Sequence, residues 1–194
     1  MRTTFLPCLP TRGTSVPATP AWLHEVKYDG YPLIVQREGN AVRLFSRNGN
    51  DWSGRYPWIV EAALKNKHSQ FVIDGEAVVL GVDGGADFNA LHSRKHNHKV
   101  QLYAFDILAL DGDDLRGLPL SLRKANLARR PDGIFVAPFA AGEIGPDLFR
   151  VTAATSPWPR SRRPSTTTSR CRIDPLHLAA RRRTTCLRSA VTER

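Results

Sequence analysis

The chain has 194 residues, 41% of them hydrophobic, and a formal net charge of +10. That length suits one domain, or one and part of another, with enough apolar residues for a packed core. No run of about 18 apolar residues is present to span a membrane, and three cysteines without a CxxC pair exclude a disulfide framework and argue against structural zinc.

The opening MRTTFLPCLPTRG is broken by Pro7 and Pro10 and lacks an apolar core of signal-peptide length, so a cytoplasmic location is expected. The positive charge invites a nucleic-acid reading, but it is unevenly spread. Ten arginines against one Asp and one Glu lie in 151–194, a net of +8, which leaves 18 basic and 16 acidic residues before Val151.

In chain order, residues 1–19 read as an extended segment and 20–150 as a folded α+β domain. Leu33–Arg37 and Val42–Arg47 (VRLFSR) make a hairpin through Glu38-Gly39-Asn40, the second arm alternating apolar and polar residues as a half-buried strand does. Arg55–Asn66 is predicted helical from the spacing of Ile59, Ala62 and Ala63. Phe71–Leu80 is a strand around Asp74-Gly75-Glu76, and Gly81-Val82-Asp83-Gly84-Gly85 is a turn. Phe88–Lys95 is a helix and Val100–Ala109 an apolar strand ending at Leu110-Asp111-Gly112. Leu120–Arg130 is a helix, Gly133–Phe139 a strand, and Gly145-Pro146-Asp147 the start of another helix.

After about Arg150 the pattern stops. Residues 151–194 hold eight Thr, five Ser, four Pro and ten Arg but no Gly, Phe, Tyr or Lys. Such a stretch buries too little to offset its ordering entropy, so a disordered tail is expected. It reads either as a nucleic-acid arm or as a GC-rich gene translated out of frame.

Four elements carry chemistry. The first is WLHEVKYDGYP, Trp22–Pro32, where Lys27 stands in Lys-x-Asp-Gly. A lysine that attacks phosphorus must be neutral, and an ordinary pKa near 10.4 leaves about one in a few thousand neutral at pH 7, a deficit of about 4–5 kcal/mol. It therefore needs desolvation or neighbouring cations. Leu23, Val26 and Tyr28 supply apolar neighbours, and Gly30 would let backbone approach a ligand. Taken alone, the motif equally describes a solvated turn after a strand. The second element is Ser46-Arg47-Asn48-Gly49, where Arg47 can hold phosphate or simply decorate an Asn-Gly turn. The third is Ile73–Val78, where carboxylates set into an apolar strand need a partner or a cation, and Glu76 could meet a ribose or Mg²⁺. The fourth is Leu102–Leu108, where Phe105 could stack on a flat base or belong to the core.

Taken together, HEVKYDGY, LFSRNGNDW, FVIDGEAVVL, DFNALHSR and LYAFDILALDG resemble the nucleotidyltransferase domain of ATP-dependent DNA ligases, and above all the bacterial end-joining modules. The likeness covers roughly 5–150 and includes LPLSLRKANLARRPDGIFVAPF. It implies antiparallel sheets flanked by helices. It implies that Lys27 takes AMP from ATP as a phosphoramidate and passes it to a 5′-phosphate in nicked or broken double-stranded DNA, with Mg²⁺ assisting. It further implies Glu25 near the adenine edge, Asp29 placing Lys27, Arg47 at phosphate or the nick, Glu76 at ribose or metal, and Phe105 on the adenine face.

Three departures bear on activity. The family pattern is Lys-x-Asp-Gly-x-Arg, whereas Pro32 stands in the sixth position; it brings no guanidinium and removes a strand N–H, so a perturbed strand is expected. The helix from Leu120 is shorter than in the family. Beyond Phe149-Arg150 neither a Glu-Gly motif nor a Lys-x-Lys motif occurs, and no lysine follows Lys124. Together with the missing oligonucleotide-binding domain, this points to a frameshift near codon 150. An impaired ligase, a non-catalytic ATP/DNA-binding remnant and a decayed gene product all fit this reading.

Overall fold

In the computed structural model, residues 5–8, 10–13, 16, 22–26, 28–128, 134–144, 146–147, 166–170 and 188–191 are described. The strands run β1 (Pro10–Gly13), β2 (Trp22–Val26), β3 (Tyr31–Glu38), β4 (Ala41–Ser46), β5 (Gln70–Val78), β6 (Gln101–Leu110), β7 (Asp113–Asp114), β8 (Ile134–Val136), β9 (Phe139–Ala141), β10 (Thr166–Arg170) and β11 (Arg188–Val191). The helices are α1 (Pro57–Leu64), α2 (Phe88–His92) and α3 (Leu120–Leu127), with a 3₁₀ turn at Asn97–Lys99. The α+β class is as expected. Among the described residues, no helix is long and apolar enough to cross a membrane.

The chain divides into two units, Met1–Pro7 with Tyr28–Ala137, and Cys8–Lys27 with Pro138–Arg194. The first holds a sheet of order β4-β3-β5-β6-β7, with β8 added in parallel to β6. The hairpin expected at Glu38-Gly39-Asn40 is present, with Gly39 at φ +60°. Leu33 and Val35 of β3 alternate inward with Leu44, Ile73, Leu102 and Ile107 to form the main core against α1 and Leu127 of α3. Ile34, Val72, Leu108 and Ala109 join Phe5 and Phe45 in a smaller cluster.

Local chemistry sets the helix limits. Pro57 enters α1 at its first turn, where the missing N–H costs nothing. Its C-terminal end is held by buried Arg37, whose Nη1 donates to Ala63 O at 2.8 Å and Asn66 O at 2.7 Å while Nε donates to Gly39 O. A cation there satisfies carbonyls the helix leaves over and complements its dipole. Arg37→Met should therefore lower stability by about 1–3 kcal/mol, read from urea unfolding; an unchanged midpoint would contradict this role. α2 is capped by Asp87, which accepts from Ala90 N at 2.9 Å. It stops at His92 rather than reaching Lys95, because Arg94 adopts a left-handed φ of +62°.

Tyr56 lies fully inside the main core with its hydroxyl lacking a hydrogen-bond partner, and the Arg55 guanidinium is 5.1 Å from its ring centroid. Burial pushes its phenol up, partly opposed by Arg55. An acid whose pKa rises on folding contributes stability that is complete below the unfolded value, near 10, and lost as pH rises through the folded one. The fold should weaken above about pH 10, and Tyr56→Phe should remove part of that loss at little cost at pH 7, since the ring keeps its place in the core. Denaturant midpoints at pH 7 and 10.5 check both.

The second unit holds a sheet of order β1-β11-β10-β2-β9, in which β2 pairs antiparallel with β9 and β10, and β1 pairs parallel with β11. Two expectations change. The single strand Gly133–Phe139 is two strands on different sheets, β8 on β6 and β9 on β2, with Pro138 where the backbone changes partners. Strands β10 and β11 stand within 151–194, where no regular structure was expected; β10 is threonine-rich, and β-branched residues suit a pleated surface. Helix α3 reaches Leu127, and Arg129–Arg130 lie outside the described residues. Pro146 and Asp147 are helical, as expected.

Candidate nucleotide site

Strand β5 organises the site. Its register sets Pro32 opposite Glu76 on one side and Tyr103 opposite Glu76 on the other; the next matching row is Ile34, Asp74 and Asp106. Asp74, Glu76 and Asp106 are all buried. Two carboxylates facing each other across a ladder repel. Arg123 of α3 offsets this by gripping Asp106 bidentately, with Nε to Oδ1 and Nη2 to Oδ2 both at 2.9 Å.

Glu76 Oε1 accepts the Gly30 N–H at 3.2 Å, which ties the Lys-x-Asp-Gly turn to the acidic strand. Gly30 is required by the protein's own backbone: a Cβ there would lie 2.3 Å from Ala77 O and 2.9 Å from Glu76 Cγ. Asp29 is exposed beside it, and Lys27 lies outside the described residues. Pro32 does not perturb β3. The β3–β4 ladder begins only at Leu33, so the proline stands before that ladder needs its N–H.

Arg47 is exposed immediately after Ser46, in a turn closed by Gly49 N to Ser46 O at 2.8 Å with Gly49 at φ +78°. Phe105 is buried yet belongs to neither core cluster. The β5–β6 register skips it: Asp74 faces Asp106 and Gly75 faces Ala104. Such a bulge re-aims the side chains around it. Tyr103 lies near Tyr28 (ring centroids 4.4 Å apart) and stacks with Phe135 (5.5 Å apart), and burial pushes the phenols of Tyr28 and Tyr103 up. Glu25 lies in the other unit, buried in β2 between Phe139 and Thr167.

The first unit thus ties Gly30, with Asp29 beside it, to Glu76, while Phe105 lies on the neighbouring strand β6 and Arg47 one residue beyond β4. Sequence reasoning missed Arg123 and Lys124. Both are buried on α3, and Lys124 Nζ donates to Phe105 O at 2.7 Å. The signal was their spacing: Leu120, Arg123, Lys124 and Leu127 share the inward stripe of the helix.

Residues 15–131 match the family model described as ATP dependent DNA ligase domain. The multifunctional non-homologous end joining DNA repair protein LigD of Mycobacterium tuberculosis is 40% identical over 112 residues, 57% of this chain and 15% of that protein. DNA ligase C2 of Mycolicibacterium smegmatis is 35% identical over 155 residues, 74% of this chain and 40% of that protein. The solved ligase domain of M. tuberculosis LigD superposes with a TM-score of 0.69 at 28% identity, covering 96% of this chain and 59% of that one. A mycobacterial DNA ligase D complexed with ATP and MES gives 0.71 at 28% identity, covering 95% and 60%. The chain therefore spans less than two thirds of these relatives.

Proposed function

Because the chain belongs to the family of ATP-dependent DNA ligase domains, we propose that it is an adenylation-domain fragment of end-joining type, acting in the cytoplasm on nicked or broken DNA during repair. The observation that carries this is the Gly30–Glu76 contact, which fastens the turn following Lys27 to the acidic strand.

In this reading the neutral Lys27 Nζ attacks the α-phosphorus of ATP. An N–P bond forms, the P–O bond to pyrophosphate breaks, and the nitrogen loses its remaining extra proton to solvent. A DNA 5′-phosphate oxygen then takes the AMP from Lys27, and a 3′-hydroxyl displaces it to close the strand. Phe105 offers the adenine a flat face, and Glu76 meets the ribose or the metal. Asp29 orients Lys27, Gly30 keeps the turn close to β5, and exposed Arg47 meets phosphate.

Mg²⁺ fits this donor set in a limited way. No cluster of three potential protein ligands exists among the described residues, but Mg²⁺ is commonly held by one or two carboxylates plus substrate phosphates. Glu76 would be the protein donor, and the ion would neutralise charge as pyrophosphate departs. Pro32 brings no guanidinium to the row beside Glu76, which weakens the grip on the nucleotide or the nick at that position.

Incubation with α-labelled ATP and Mg²⁺ should leave a denaturation-resistant label on the wild-type chain and none on Lys27→Ala. An unlabelled wild type, or a label that persists without Lys27, refutes the adenylation reading and leaves a non-catalytic remnant.

A further inference from the structure

Consecutive residues of α3 hold consecutive residues of β6. Arg123 takes the Asp106 carboxylate in a two-pronged grip and anchors its own Nη1 on Leu118 O at 2.6 Å. Lys124, fully buried, donates to the carbonyl of Phe105. Asp106 Oδ1 also accepts from Ile107 N at 2.8 Å, so the carboxylate folds back on its own strand. All of these contacts lie within one unit.

Stability alone is a poor reason for two cations in this stripe. Desolvating charges is costly, and well-packed apolar residues often do as well or better. What a guanidinium and an ammonium provide that leucine or methionine cannot is a fixed direction toward two adjacent points of a bulge. Without them, the bulge would be free to relax toward the ladder. We propose that Arg123 and Lys124 are positioning residues that lock the Phe105–Asp106 bulge and so hold the Phe105 ring where a purine can stack on it. This rests on the adenylation reading above, which supplies the purine.

The test uses the full chain with 2-aminopurine riboside triphosphate, whose emission falls when its base stacks. Wild type should quench the bound probe, and Phe105→Ala should not. Lys124→Met keeps the aliphatic stem but not the donor. It should lose at least half the quench and bind roughly tenfold more weakly, within the range for one base–aromatic stack. Arg123→Lys should behave likewise and serves if Lys124→Met does not fold. Arg37→Met, which destabilises the same unit at a distance from the bulge, should melt earlier yet quench as wild type does, separating placement from mere stability. Full quenching by Lys124→Met or by Arg123→Lys overturns the proposal alone. A wild-type chain that binds no probe overturns the adenylation reading and this proposal together.

Discussion

Arg123→Ala is expected to lower the free energy of unfolding by about 3–5 kcal/mol. The substitution leaves the buried Asp106 carboxylate without its bidentate partner, opposite a second buried carboxylate at Asp74. It also removes the donor to Leu118 O. A loss of that size is a large part of the stability of an ordinary domain, so urea unfolding should show a much lower midpoint. Asp106→Ala should cost a comparable amount, and the double variant should cost clearly less than the two losses combined, because each single change strands the other group. The half-exposed Arg116–Asp114 pair is the control. Its contact is shorter, at 2.6 Å, and it holds the Asp114 carboxyl below its usual range. Solvent screens it, however, and Arg116→Ala should cost under about 1 kcal/mol. Equal losses at the two arginines would show that burial does not decide the outcome here.

The same contrast marks what could be read in advance. The β3–β4 hairpin was legible because alternation and a glycine turn are local signals, and β5 and β6 because long apolar runs bounded by turns have few other destinations. Lys27, Glu76 and Phe105 were singled out by residue type and order alone. Partnership was not legible. Arg123 and Lys124 look like ordinary charges in a helical heptad until Asp106 and the Phe105 carbonyl, 17 and 19 residues earlier, are placed beside them. The break between β8 and β9 carries no change of period, since both pieces are apolar and extended; only Pro138 hints that the backbone changes sheets. The bulge at Phe105 is likewise invisible, because it is a property of two strands in register. Pro32 was misjudged for the same reason: its cost depends on where the neighbouring ladder starts.

Gly30→Ala should be the most informative change beside the nucleophile. The added methyl would meet the Ala77 carbonyl oxygen at 2.3 Å, and also Val78 Cγ1 and Glu76 Cγ. The first of these is backbone in a strand paired on both sides, so it cannot rotate away. The turn must move instead, at a cost of about 1–3 kcal/mol as for other overpacked sites. The movement stretches the Gly30–Glu76 hydrogen bond, since donor and clash sit on one residue. Lys27 labelling should therefore fall further than the loss of folded protein accounts for. Gly117→Ala supplies the comparison: nothing lies within 4 Å of its Cβ position, so stability should stay within about 0.5 kcal/mol of wild type or rise slightly. If Gly30→Ala unfolds at the same midpoint as Gly117→Ala and labels fully with ATP, the turn is not held against β5. The link between Lys-x-Asp-Gly and Glu76 would then lose its physical basis.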